Sequence, residues 1–326
     1  MDLKLALYEL SARHGLSAEG AARLAEAAGL QQTPAGLHPR LAQGVAVLAA
    51  ALGGFGLILW LAANWDTLGR FGRFALLEGV ILVMSLGAWL RPAWRAPLSL
   101  LALLATGGLF AYFGQTYQTG ADPWQLFAVW AALTLPLCLG TRSDVAWTPW
   151  ALVVMTAISL WVHAHTDHSW RVERTDMGVH LAAWAMALGL SAALSPSFQR
   201  WTGAGTWGWR LGLTLATLTL TVTGLGSLFS RESTGLYAMG LLMLGGAAVL
   251  LTQARFFDVF ALSVAALGLN VLLVFGLGEA LFSGSSNDWL GSMFLLGICA
   301  AGLLAGTVSI ILRCNRRHAA TSGATA

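Results

Sequence analysis

Apolar residues in this chain come in long blocks separated by short polar breaks, from Leu41 to Leu312. The blocks cover roughly 41–63, 71–90, 97–118, 124–140, 144–163, 177–194, 210–230, 234–252, 256–280 and 290–312. An α-helix rises about 1.5 Å per residue, so about 20 mostly apolar residues cross a hydrocarbon core of about 30 Å. The pattern therefore predicts an all-α, polytopic membrane bundle of about ten transmembrane helices. The fourth block is short and contains Pro136, which is expected to kink it, so losing that span would leave nine. The longest breaks, His165–Asp176 and Ser195–Trp209, leave no room for a second soluble domain.

The first 40 residues are patterned differently. Leu3, Leu7 and Leu10 share one helical face, and His14-Gly15 ends that helix. Ser17 is placed to cap a second helix, with Glu19 in its first turn, where the helix dipole favours an anion. Leu24 and Ala28 continue the apolar stripe, and Gly29 is a stop signal. Residues 1–40 thus read as a short cytoplasmic helical hairpin with a linker, either resting on the membrane or the spans or docking a partner. The bundle occupies 41–312, with its first run acting as an uncleaved signal anchor, and 313–326 forms a basic tail.

Composition strengthens the membrane reading. Only 10% of the 326 residues are charged and 57% are apolar, whereas soluble domains carry about 25% charged residues. The three cysteines, Cys138, Cys299 and Cys314, form neither a disulfide framework nor a CxxC pair. Basic residues orient the chain, because they accumulate on the cytoplasmic side. With the N-terminus inside, Lys4, Arg13, Arg23, Arg40, Arg91, Arg95, Arg142, Arg200, Arg210, Arg255, Arg313, Arg316 and Arg317 lie inside. Arg70, Arg73, Arg171, Arg174 and Arg231 lie outside, and both termini are expected to be cytoplasmic. The arginine-rich, Ala- and Gly-rich composition suggests a GC-rich bacterial genome, and a bacterial inner membrane is the expected location. The tail from Arg313 to Arg317 is an anchor near anionic headgroups rather than a nucleic-acid arm.

Polar residues gather at one level of the outer side. Asn64, Trp65 and Asp66 end the first span, Gln115 and Tyr117 end the third, and Asp122 follows. Glu78 sits five residues beyond Arg73 on the second span. A carboxylate inside a membrane costs several kcal/mol unless it is paired, hydrated or protonated, which makes Glu78 a candidate for ligand binding or proton coupling. Its neighbours Phe74, Ala75, Ile81 and Leu82 supply no partner, so one must come from another span or from water. The alternative is that Glu78 is simply wet at the interface or bonds Gln115 for packing. His163, His165 and His168, with Asp167, Glu173, Asp176 and His180, have metal-ligand chemistry. Their spacing matches no zinc motif, and a solvated loop without metal is expected. Thr214, Thr217, Thr221 and Gly224 make one small face, and Gly302 and Gly306 a GxxxG; both read as close helix packing. Asn270 is expected to bond a neighbouring helix, and Trp130 and Trp184 lie deep enough for packing roles.

The motifs Gly53-Gly54-Phe55-Gly56, Ala62-Ala63-Asn64-Trp65-Asp66, Phe113-Gly114-Gln115-Thr116-Tyr117, Gly120-Ala121-Asp122-Pro123 and Trp130 to Leu135-Pro136 resemble a bacterial predicted-membrane-protein family. That family is domain of unknown function 2157, and the resemblance covers about residues 5–145, with 41–145 as its membrane part. It implies no activity, although a complex with another small polytopic membrane protein is conceivable from it.

Two function classes remain. One is a carrier or binding protein for a small molecule, an ion or a lipid-linked envelope precursor, using an outward polar cavity. The other is a non-catalytic scaffold or assembly subunit of a membrane complex. No catalytic motif, cofactor-binding loop or nucleic-acid footprint is present, so no cofactor is expected and the lipid bilayer is the one certain partner.

Overall fold

A computed structural model describes residues 3–28, 37–63, 69–117, 120–166, 170–230, 235–253, 256–283 and 289–323. The described residues form thirteen α-helices and no strands. In order they are α1 (Leu3–Arg13), α2 (Ala18–Ala27), α3 (Leu37–Ala63), α4 (Arg70–Leu90), α5 (Arg95–Tyr117), α6 (Pro123–Thr141) and α7 (Asp144–Ala164). Then follow α8 (Met177–Ala193), α9 (Gln199–Thr202), α10 (Thr206–Leu228), α11 (Leu236–Leu251), α12 (Val259–Phe282) and α13 (Trp289–Gly323).

The chain divides into two compact units, Met1–Ala49 and Ala50–Ala326. In the first, α1 and α2 are joined by a short turn. Gly15 lies in it with φ +59°, a left-handed conformation that glycine adopts without a Cβ clash. The Ser17 hydroxyl accepts from the Gly20 amide at 3.2 Å, which caps α2. Gly29 lies outside the described residues.

Each of the ten apolar blocks becomes a helix. Eight described helices are long and apolar enough to cross a membrane, and a ninth arises if the bent pair Met177–Ala193 and Pro196–Thr202 counts as one span. That pair bends by 56°, beside Pro196. The remaining apolar helix, α11, has 16 residues, or about 24 Å at the helical rise, short of a full hydrocarbon core. Pro136 is accommodated within a continuous α6. The last helix runs unbroken to Gly323, so residues 313–323 extend α13 rather than forming a separate tail.

The core lies around α7, α8, α10 and α12. Trp147, Met155, Ala183, Ala187, Leu194, Ala216 and Ala265 pack there. A second cluster joins Trp184, Leu220, Leu244 and Leu272 of α8, α10, α11 and α12. Small residues permit this closeness. A Cβ on Gly268 would sit 2.7 Å from Thr217 Cγ2 and 2.8 Å from Thr221 Oγ1, so the threonine face of α10 is a packing surface against α12. Asn270 Nδ2 donates to Thr307 Oγ1 at 3.0 Å, tying α12 to α13. By contrast α13 buries none of its most apolar window. A Cβ on Gly302 or Gly306 would meet nothing within 4 Å, so among the described residues this GxxxG packs against no helix of its own chain.

Candidate functional site

The sequence directs attention to the end of the bundle where α4 begins and α5 finishes. Asn64, Trp65 and Asp66 lie outside the described residues. Glu78 is exposed on α4 and makes no hydrogen bond or ion pair among the described residues. It lines a groove of about 550 Å³ with Phe71, Phe74, Ala75, Leu109, Phe110, Phe113 and Tyr117. Glu78 thus borders the α4–α5 groove rather than the packed core. Gln115 and Asp122 are exposed and are not part of the groove wall. Asp122 is the N-cap residue of α6 but makes no side-chain cap bond.

Helix periodicity explains the groove. Phe71, Phe74, Ala75 and Glu78 recur at the i, i+3, i+4, i+7 spacing that lines one face of α4, and Leu109, Phe113 and Tyr117, at i, i+4 and i+8 with Phe110 beside them, line a face of α5. The aromatic rings interlock. Phe74 lies 4.6 Å from Tyr112 and 5.9 Å from Tyr117, and Phe113 lies 4.9 Å from Tyr117. Arg70 holds its guanidinium 5.4 Å from the Phe71 ring centre and 5.8 Å from that of Tyr117. Arg73 sits 5.7 Å from the Tyr112 ring. The ring faces at this end therefore already take cations, as their quadrupoles favour, and one carboxylate stands unpaired among the described residues lining the same groove.

The histidines give a second, more dispersed groove. His163 and His180 line a cavity of about 430 Å³ with Ser159, Thr166, Thr219 and Thr223. His165 is turned away from it, with Nδ1 2.8 Å from the Trp161 carbonyl. His168 and Asp167 lie outside the described residues. Among the described residues no three His, Cys, Asp or Glu side chains gather as metal ligands would.

The opposite end of the bundle holds polar locks that no motif announced. The Asp144 carboxylate accepts from the amides of Gly205 at 2.9 Å, Trp207 at 3.0 Å and Gly208 at 3.1 Å. It thereby caps α10 from the first residue of α7, satisfying amides that an isolated helix N-terminus leaves open. Arg142 Nη2 donates to the Arg200 carbonyl at 2.7 Å, and Trp147 Nε1 to that of Thr202 at 3.0 Å. Arg210 Nη2 bonds Asp258 Oδ2 at 2.6 Å, and Asp258 also caps α12 through the Ala261 amide at 2.9 Å. Burial pushes the Asp258 pKa up, but the Arg210 bond, the amide bonds and the Arg210 charge outweigh it and hold the carboxyl below its ordinary range.

Residues 8–147 match the model of a family described as a predicted membrane protein, DUF2157. The match runs from within α1 to the start of α7, over the part whose motifs carry the resemblance, and the Glu78 groove lies inside it. No curated protein matches the chain. No solved structure matches it.

Proposed function

We propose that this polytopic membrane protein binds or carries a small molecule bearing a cationic group, at the aromatic groove that contains Glu78. One observation carries the reading: Glu78 lines a groove of about 550 Å³ walled by Phe71, Phe74, Phe110, Phe113 and Tyr117. Aromatic faces and a carboxylate together recognise organic cations, because the rings attract charge without demanding the directional bonds of hydration. The groove is large enough for an ion, a small amine or the amine-bearing end of a lipid-linked precursor, and in sequence Asn64 and Asp66 come just before α4 while Gln115 and Asp122 flank the end of α5. In this reading the groove opens to the outer side of a bacterial inner membrane, with both termini cytoplasmic, which the basic-residue distribution supports.

The test uses full-length protein in detergent with tetraphenylphosphonium as the cationic probe. Calorimetric titration should give saturable binding, weakened at least about tenfold by Glu78→Gln with an unchanged thermal midpoint, since Gln keeps shape and loses charge. Equal binding by both proteins overturns the site. Reporter fusions at residues 35 and 320 should read cytoplasmic, and those near 120, 170 and 286 external; the opposite sign at 320 removes the orientation.

A second reading, a scaffold subunit, has its own support in α13. That helix leaves its most apolar window unburied, and Gly302 and Gly306 face no neighbour among the described residues. A small polytopic partner laid against this face would occupy it.

A further inference from the structure

We propose a lipid-headgroup site at the other end of the same helices, where the groove between α4, α5 and α6 holds the phosphate of an anionic glycerophospholipid on Arg95. The groove measures about 370 Å³, and Arg95, Ser85, Ser99, Thr141, Trp89 and Leu137 are among its walls. Arg95 is half-buried. Its Nε donates to the Ala88 carbonyl at 3.3 Å, which fixes the plane of the guanidinium. Among the described residues this is its only hydrogen bond, and no carboxylate lies within ion-pair distance. A half-buried cation without a counter-charge is costly, and the two terminal nitrogens form the fork that matches phosphate oxygens.

The hydroxyls point to the same occupant. Thr141 Oγ1 donates to Ser99 Oγ at 2.6 Å, so the Ser99 proton is the one left to give. Ser99 is 1% exposed, and its proton has no acceptor among the described residues. Ser85, one turn from Trp89 on α4, likewise makes no hydrogen bond among the described residues. Arginine and two serines thus present unused donors to one space that contains no acid. An acceptor-only ligand such as a phosphate diester satisfies all of them.

A membrane source is favoured over a soluble one by the remaining walls. Trp89 is 74% exposed at the end of α4, and an exposed tryptophan at a span end marks headgroup depth. Leu137 and Ala88 continue the groove as apolar surface against which an acyl chain can lie. Arginine pockets between spans are where acidic headgroups are held.

The experiment is native mass spectrometry of the full-length protein released from detergent, titrated with dioleoyl phosphatidylglycerol, with phosphatidylcholine and with inorganic phosphate. Wild type should retain phosphatidylglycerol in preference to phosphatidylcholine, and millimolar phosphate should not displace it. Arg95→Gln should weaken retention by about tenfold or more, and Ser85→Ala by less. Arg91→Gln, an exposed neighbour outside the groove, should leave it unchanged. Ser85→Ala removes one oxygen from a half-buried position, so it reads the site even if Arg95→Gln impairs folding. Unaltered retention in both groove variants overturns the proposal, as does an equal loss in Arg91→Gln, which would mean a diffuse basic surface. Displacement by inorganic phosphate would assign the groove to a soluble anion and overturn the lipid assignment.

Discussion

Asp144 reaches across 61 residues of sequence to accept a hydrogen bond from the Gly205 amide at 2.9 Å, so the first residue of α7 serves as the cap of α10. The relationship is unusual for a cap because Ser143, the residue before Asp144, already caps α7 by accepting from Val145 at 3.3 Å. Two adjacent residues thus terminate two different helices, and the α6–α7 turn becomes the point that fixes where α10 starts. Asp144→Ala should lower stability in detergent by about 2 kcal/mol, since it strands three amides at a helix end. Asp144→Asn, which keeps one acceptor, should cost less than half as much. Thermal unfolding followed by tryptophan fluorescence decides it, and a silent alanine variant would mean water replaces the carboxylate freely.

The Arg210–Asp258 pair makes a pH prediction. Its side chains are 26% and 16% exposed, enough shelter for the bond to resist screening. Asp258 has a folded pKa below its ordinary value of 3.8, so its contribution is complete above the ordinary carboxylate range and disappears as pH falls through the folded value. Asp258→Asn keeps the α12 cap, because asparagine caps as well as aspartate, and removes only the charge. Wild type should lose its stability advantage over this variant as pH drops from about 6 to about 3. Arg210→Ala should cost about 3 kcal/mol at neutral pH by leaving the carboxylate without its cation. Parallel acid titrations of the two proteins would contradict the assignment.

Gly107 and Trp130 specify the α5–α6 contact. A Cβ on Gly107 would overlap the Trp130 ring, whose Nε1 donates to the Leu103 carbonyl at 2.9 Å. Gly107→Ala should therefore destabilise by about 1–3 kcal/mol through overpacking. Combining it with Trp130→Leu should cost less than the sum of the single changes, since the smaller side chain makes room. Additive losses would place the alanine effect elsewhere.

Asn270 and Thr307 exchange two hydrogen bonds, at 3.0 and 3.2 Å, across the α12–α13 contact. A double-mutant cycle with Asn270→Leu and Thr307→Val should return a coupling of about 0.6 kcal/mol and no more than about 1.7. A value near zero would leave α13 held by apolar contact and by His318, whose Nε2 lies 3.2 Å from the Thr252 carbonyl.

Much of the fold was legible because its signals are local. Each apolar block became a helix, Ser17 capped α2 and Gly15 took a left-handed turn as their backbone chemistry requires, and Asn270 found a neighbouring helix as an amide in lipid must. The candidate site was legible only in part. The sequence picked out Glu78 and Tyr117, which line one groove, and Gln115 and Asp122, which do not. It also missed the phenylalanines that make the groove, because an aromatic at helical spacing in a span reads the same whether it faces lipid, core or cavity.

Sequence alone determined that the chain lives in a membrane and roughly where its apolar helices fall, since desolvation cost and helical rise depend only on composition and length. Tertiary structure alone decided which faces are occupied. Gly268 is filled by Thr217 and Thr221, whereas Gly302 and Gly306 meet nothing, although all sit in apolar helices with small-residue spacing. Asp144 and Asp258 look like loop acids in sequence, yet each holds a distant helix end. Those outcomes depend on which helices become neighbours, and between helices in lipid the deciding terms are shape and a few hydrogen bonds. Neither is carried by a residue's own segment.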